Sequence, residues 1–289
     1  MKPLSSIFFT LISVSLGLLF TSALSFNTFQ LGGLSILYFV TLYIFILQWI
    51  IFIPAYVNQT EHYFDLTGSM TYITSILLLT FFSRDIDLRD ILICSLIIIW
   101  ASRLGLFLSK RVANAGEDTR FTHIKPNFFQ FLMTWTIQGL WVLMTAGMAF
   151  AALSSKNKLG LDAFAIVGGL IWLFGFVIEV VSDKQKTNFK SNPLNQGKFI
   201  QEGLWSWSRH PNYFGEIVLW IGIAVIAYPV IESWQYFALL SPIFVIFLLT
   251  RVSGINLLER QGMKRWGHEE DYLNYLKRTN SLIPLPPKS

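Results

Sequence analysis

The chain has 289 residues and a net charge of +5; 53% of its residues are hydrophobic and only 13% are charged. An average soluble domain carries roughly 25% charged residues, so this composition excludes a soluble globule. The cations lie in loops beside apolar runs, which favours contact with anionic lipid or an anionic cofactor over nucleic acid. We therefore predict an all-α fold, a polytopic transmembrane helical bundle.

Eight apolar runs are candidates for membrane-spanning helices, since a helix needs about 20 residues to cross a bilayer. They cover roughly residues 5–25, 32–57, 69–82, 90–109, 128–153, 161–181, 213–230 and 234–251. The third run is the shortest and fits a tilted or partly re-entrant segment. The first resembles a signal peptide, but further runs follow it, so we keep it as a helix. We predict seven to eight spans in a single membrane domain, 1–289, with N-terminal spans in 1–57.

Lysine and arginine concentrate in three segments: 110–127, 182–212 and the C-terminal tail. A path of eight spans with both termini in the cytosol places all three segments on one side of the membrane. This is the distribution that the positive-inside rule expects.

The loop at 58–69, NQTEHYFDLTGS, places carboxylates, an imidazole and a phenol at the mouth of the third run. Asp65 is therefore a candidate proton donor. An ordinary capped helix start is the alternative, because Asp65, Thr67 and Ser69 are all good N-caps. We favour Ser69 as the cap and leave the role of Asp65 open.

Charged residues also interrupt two of the apolar runs. Arg103 lies in the middle of the fourth run, where an arginine costs about 2.5–3.5 kcal/mol to insert. It either extends to the membrane surface or binds an anionic ligand. Glu179 and Asp183 stand one turn apart at the end of the sixth run, and Lys186 and Lys190 continue the spacing. This row is either a solvated ladder of charges or a site for sugar hydroxyls and phosphates.

The densest polar cluster is the stretch at 203–216, GLWSWSRHPNYFGE, which contains Arg209, His210, Asn212, Tyr213 and Glu216. Pro211 suits the first turn of a helix, so we predict a helix start near His210. The N-terminus of that helix is a seat for a phosphate or carboxylate. Asn212 and Glu216 share one helix face and can bind a polar ligand. Anchoring to lipid headgroups is the alternative.

Residues 251–287 alternate charge with Leu, Trp and Tyr at helical spacing, which predicts an amphipathic helix on the membrane surface. The sequence contains no GxGxxG after a strand, no Walker loop and no GxSxG. Its four histidines are scattered, so we predict no metal site. The lone Cys94 lies inside an apolar run and indicates no redox compartment.

The segment SRHPNYFGE at 208–216, followed by Trp220, resembles the signature of the steroid 5-alpha-reductase superfamily, in particular a bacterial branch of unknown function. Four further segments resemble that branch: FDLTGS at 64–69, WASRLGLFLSKR at 100–111, SDKQKTNFK at 182–190 and the closing block at 253–284. The resemblance covers about residues 60–285. It implies reduction of an activated carbon–carbon double bond in a steroid, sterol or similar lipid, with NADPH as cofactor. It also implies a monomer in a bacterial inner membrane.

The resemblance assigns roles to particular residues. Asp65 is the nearest counterpart of the substrate-polarising glutamate, and Tyr213 is the second catalytic candidate. Lys190 stands where relatives tend to carry Arg, and Glu179 where they tend to carry Asn. The implied cofactor-binding residues are Asp183, Lys186, Lys190, Arg209, His210, Asn212, Tyr213, Glu216, Arg103, Arg111 and Arg251.

A second family carries a shorter form of the same signature. Isoprenylcysteine carboxyl methyltransferases and related phospholipid methyltransferases have RHPxYxG before a membrane run, which RHPNYFG satisfies. Such an enzyme would bind S-adenosylmethionine, which has no pyrophosphate and less use for the cations Lys186, Lys190 and Arg209. The longer match to the reductases favours the reductase. A non-catalytic lipid-binding protein of the same fold is a third hypothesis.

Overall fold

The structure is a computed structural model that describes residues 3–83, 85–116, 118 and 120–287. These residues are almost entirely helical. The only strands in these ranges are β1 (Gln30–Leu31) and β2 (Leu34–Ser35), which pair antiparallel. The α-helices of the described chain are α1 (Pro3–Leu24), α2 (Ile36–Val57), α3 (Phe64–Phe82), α4 (Leu88–Ala115), α5 (Phe128–Thr145), α6 (Gly147–Ser154), α7 (Ala163–Ser191), α8 (Pro211–Ala227), α9 (Leu240–Phe247), α10 (Ile255–Trp266) and α11 (Glu270–Arg278). A π-helical turn (Leu248–Val252) links α9 to α10.

Seven helical stretches of the described chain are long and apolar enough to cross a membrane. The number becomes eight if α5 and α6, which are bent by 58° at their junction, form one broken span. The predicted all-α, polytopic membrane fold is therefore confirmed, and the protein is an integral, multi-pass membrane protein. The predicted single amphipathic helix after the last span is wrong in detail. It is divided into α10 and α11 around Gly267, and α11 is the more amphipathic of the two.

The start of α3 also differs from the prediction. The helix begins at Phe64, and Ser69 is buried inside it, so Ser69 is not the N-cap. The reason lies in aromatic packing at the first residue of the helix. The ring of Phe64 packs edge-on against Phe121 and Trp135, with centroids 5.0 and 5.2 Å apart. Packing of this partly buried ring places the first turn upstream of Ser69.

Contacts between residues divide the chain into two compact units. The first unit comprises Met1–Ala165 and Ile226–Ser241, and the second comprises Ile166–Val225 and Pro242–Ser289. The predicted single domain stays a prediction.

In the first unit, polar loop contacts collect at two ends. At one end the loop after α6 meets the start of α4, where Lys158 Nζ lies 2.7 Å from Asp90 Oδ2. At the other end the loop after α2 meets the loop after α4, through Glu61 with Lys125 and His62 with Gly116 O. The chain therefore passes from the second end to the first between residues 127 and 155. We therefore predict that α5 and α6, which together make this passage, form a single broken span.

Candidate active site

In the second unit, α7 and α8 pack with their backbones in contact. Gly215 of α8 makes this possible, because a Cβ at that position would lie 2.6 Å from the amide nitrogen of Glu179 in α7. Two more glycines make equivalent contacts at 2.5 and 2.6 Å: Gly175 with the Leu219 nitrogen, and Gly222 with the Trp172 nitrogen. The residue numbers rise along one helix as they fall along the other, so the two helices are antiparallel.

This register sets the positions of the predicted acids. Asp183 follows Glu179 by one helical turn, so it lies at the end of α7 that adjoins the start of α8. Glu179 and Asp183 are only 2% and 7% exposed. Asn212 and Glu216 occupy the first two turns of α8, at the same end of the helix pair. The backbones of these polar residues therefore lie at the same end of the helix pair, and their role as one site stays a prediction.

The signature loop before α8 is held by the C-terminal segment. The backbone N–H of Arg209 donates to Asn280 O at 2.8 Å, next to a short parallel bridge between Ser208 and Asn280. The Arg209 guanidinium donates to Leu276 O through Nη1, also at 2.8 Å. Its Nη2 lies 2.8 Å from Glu259 Oε1. Residues of the segment 259–280 thus help to build the site around Arg209.

His210 is buried beside this ion pair. Its ring stacks on Tyr213, with the centroids 5.7 Å apart and the planes 9° from parallel. Its Nε2 lies 3.6 Å from Glu259 Oε1, which is longer than a hydrogen bond. Burial lowers the pKa of His210 below its ordinary value, and the nearby Glu259 carboxylate only partly offsets this effect. We therefore expect a neutral imidazole at pH 7.

The predicted cations of the second unit are more exposed. Lys186 Nζ lies 4.4 Å from the ring centroid of Trp205, whose indole N–H donates to Ser182 O. Lys190 is exposed near the end of α7, and Arg251 is exposed in the π-helical turn.

Three predicted site residues belong to the first unit. Asp65 and Arg111 face each other across α3 and α4, with Oδ2 and Nη2 3.9 Å apart. Arg103 lies over the ring of Phe107, 5.1 Å from its centroid. Asp65 thus has a cation beside it, and Arg103 rests against an aromatic ring of its own helix.

Sequence reasoning missed Glu259 as part of the site. The residue belongs to the closing block that resembled the reductases, but no spacing rule connects it to Arg209, 50 positions earlier in the chain. An arginine beside a membrane-spanning run was the only signal that an acid lies nearby. Among the described residues, no group of three or more His, Cys, Asp or Glu is arranged to hold a metal ion.

The fold and this cluster define a class: multi-pass membrane proteins with a partly buried polar site at the end of a helix pair. The chain belongs to the family described as "Protein of unknown function (DUF1295)", whose model matches residues 49–279, and so to the steroid 5-alpha-reductase-like superfamily.

Named relatives are similar to part of the chain. 3-oxo-5-alpha-steroid 4-dehydrogenase 1 of Rattus norvegicus is 30% identical over 119 residues, 41% of this chain and 40% of the relative. Delta(14)-sterol reductase of Arabidopsis thaliana is 32% identical over 130 residues, 40% of this chain and 30% of the relative. Probable O-methyltransferase ustE of Ustilaginoidea virens is 32% identical over 90 residues, 31% of each chain. The chain spans about half or less of the length of the curated relatives it matches. No solved structure matches it significantly.

Proposed function

We propose that this protein is a membrane-embedded reductase that uses NADPH to reduce an activated carbon–carbon double bond in a steroid, sterol or other lipid. The observation that carries the proposal is the cluster at the start of α8, where buried nitrogens of Arg209 and His210 adjoin the buried carboxylate end of α7. Similarity to proteins named 3-oxo-5-alpha-steroid 4-dehydrogenase 1 and Delta(14)-sterol reductase supports the reaction class.

Arg209 Nε and the one N–H group of a neutral His210 ring are donors that fit the phosphates of a dinucleotide. Arg209 Nε and both ring nitrogens of His210 are buried and have no hydrogen-bond partner within the described residues. They lie beside the N-terminus of α8, which favours bound anions. Lys186 and Lys190 add positive charge on the neighbouring helix, as a pyrophosphate and a 2′-phosphate require.

The oxygen atoms of the cluster fit the rest of the cofactor. Carboxylates accept hydrogen bonds from ribose hydroxyls, and an amide side chain can both donate to and accept from a carboxamide. We assign these contacts to Asp183, Asn212 and Glu216. Arg103, Arg111 and Arg251 are further proposed cofactor contacts, on the family resemblance alone.

When bound, NADPH supplies the hydride that reduces the β-carbon of an enone. The chain must then provide an acid at the carbonyl oxygen, in a pocket of low dielectric constant where such contacts are strongest. We propose Asp65 or Tyr213 for this role. The Arg111 guanidinium beside Asp65 would orient its carboxyl group.

The orientation of the protein in the membrane follows from the same proposal. A lipid substrate enters from the bilayer, and the water-soluble cofactor enters from the cytosol. We therefore propose that both termini and the signature loop face the cytosol, on the cation-rich side. We also propose a monomer of the bacterial branch in the inner membrane.

Binding of NADPH to detergent-purified protein, followed by nicotinamide fluorescence, tests the proposal. Asn212→Ala and Glu216→Ala should each weaken binding about tenfold, because each removes a hydrogen bond of about 1.4 kcal/mol. Asn274→Ala and Glu270→Ala, on the exposed face of α11, are matched controls that should bind like wild type. The proposal would be contradicted if wild-type protein did not bind NADPH.

A methyltransferase is the second candidate, because the chain is also similar to a protein named as a probable O-methyltransferase. Retention of S-adenosylmethionine or its demethylated product through purification would favour this candidate.

A further inference from the structure

One carboxylate oxygen lies beside both Arg209 and His210. Glu259 Oε1 lies 2.8 Å from Arg209 Nη2 and 3.6 Å from His210 Nε2. The Ser281 hydroxyl donates to the same oxygen at 3.1 Å. A residue of α10 therefore contacts two consecutive residues of the signature loop and one residue of the C-terminal segment.

This arrangement fixes the guanidinium of Arg209 at two points. Nη2 is held by Glu259, and Nη1 donates to Leu276 O at 2.8 Å. The guanidinium is planar, so two fixed nitrogens also set the direction of the third, Nε. Nε is buried and has no hydrogen-bond partner in the described chain. Its direction is therefore set by Glu259 and the carbonyl group of Leu276.

The same carboxylate acts on His210. Glu259, Arg209 and Lys186 are charged groups near this ring, and the ring of Tyr213 stacks on it. Of these three groups, Glu259 is the acid. Its charge stabilises the protonated imidazole, whereas burial and the two cations act in the opposite direction.

We infer that Glu259 is a positioning residue, which orients the Arg209 guanidinium and the His210 ring for an anionic ligand and ties both to the C-terminal segment through Ser281. The identity of that ligand as a nicotinamide dinucleotide rests on the proposed function. The positioning itself rests on the contacts of Glu259 alone.

The first test measures the effect of Glu259 on the titration of His210 in the absence of any ligand. Glu259→Gln keeps the shape of the side chain and removes its charge, so the midpoint of His210 in an NMR titration should fall below that of wild type. Glu269→Gln is the matched control, because Glu269 Oε1 lies 4.0 Å from the ring of the exposed His268. The control should leave His210 unchanged. An unchanged midpoint of His210 in Glu259→Gln would overturn the inference.

The second test measures the effect of Glu259 on ligand affinity, with NADPH as the probe. Glu259→Gln should bind NADPH about tenfold more weakly than wild type and Glu269→Gln, the cost of losing about 1.4 kcal/mol. Equal affinity in all three proteins would overturn the inference and leave the proposed function intact. If wild type does not bind NADPH, the proposed function fails, while the titration of His210 still decides the inference.

A third variant provides an independent test in case Glu259→Gln does not fold. Glu259→Asp keeps the charge but shortens the side chain by one methylene group, which draws the carboxylate away from Arg209. NADPH binding should again weaken, and thermal unfolding in detergent checks that the protein is folded. Wild-type affinity in a folded Glu259→Asp protein would contradict a positioning role.

Discussion

At the scale of single residues, two glutamates that pair with cations have different roles. Glu259 contacts the candidate active site, whereas Glu61 ties two loops of the first unit together. Glu61 is buried; it accepts the backbone N–H of Asp118 at 2.6 Å and a hydrogen bond from Lys125. Burial alone would raise the pKa of Glu61, but these two partners hold it below the ordinary value of a glutamate.

The lowered pKa of Glu61 makes the stability of the fold depend on pH. A carboxyl group with a lowered pKa in the folded state stabilises the fold above its ordinary pKa, and the contribution is lost as the pH falls. Glu61→Gln should therefore destabilise the protein by about 1–3 kcal/mol at pH 7. Unfolding in detergent should show this difference shrinking below about pH 4.3, the ordinary pKa of a glutamate. A difference that grows in acid would contradict the ion pair.

Residue patterns predicted only part of the site. Asp183, Asn212 and Glu216 were predicted because residues four apart on a helix share a face, and α7 and α8 supply those helices. Glu259 was not found, because its contact with Arg209 depends on how the chain returns after the last span. Periodicity carries no information about such a contact.

At the scale of elements, the start of α8 was predictable and the start of α3 was not. Pro211 is the first residue of α8, where its fixed backbone angle suits the first turn. The start of α3 depends on the burial of Phe64 against rings from distant segments, which overrides the local capping residues. Local chemistry therefore fixed one boundary and tertiary packing fixed the other.

The contact between α7 and α8 gives a prediction for Gly215. In Gly215→Ala the new methyl group would meet the backbone of Glu179 at 2.6 Å, so the helices must separate. We expect a loss of about 1–3 kcal/mol in unfolding free energy and weaker NADPH binding. Gly169→Ala is the matched control in α7, because a Cβ there meets no atom within 4 Å. It should be neutral or stabilise the helix by up to about 1 kcal/mol. Equal stabilities of the two variants would contradict the packing.

At the scale of the whole molecule, the apolar runs predicted the spans well. Helix length and hydropathy are local properties of the sequence. The thickness of the bilayer restricts the length of an apolar helix that can cross it to a narrow range. The bend between α5 and α6 was not predicted, since no proline marks it within 128–154. The side of the membrane on which each loop lies stays a prediction.

Cysteine labelling tests that topology. In a Cys94→Ser background, Asn58→Cys and Lys198→Cys should react with a membrane-impermeant reagent from the cytosolic side. Lys156→Cys should react from the opposite side. All three positions are exposed. Labelling of Asn58→Cys and Lys156→Cys from the same side would contradict eight crossings.

We propose that the cluster at the start of α8 binds a phosphorylated electron carrier. Native mass spectrometry of the purified protein, offered NADPH and S-adenosylmethionine in equal amounts, distinguishes this carrier from a methyl donor. We expect one NADPH bound to each chain, and a smaller fraction of that adduct in Glu216→Ala, in line with about tenfold weaker binding. A protein that takes up S-adenosylmethionine and no NADPH would contradict it.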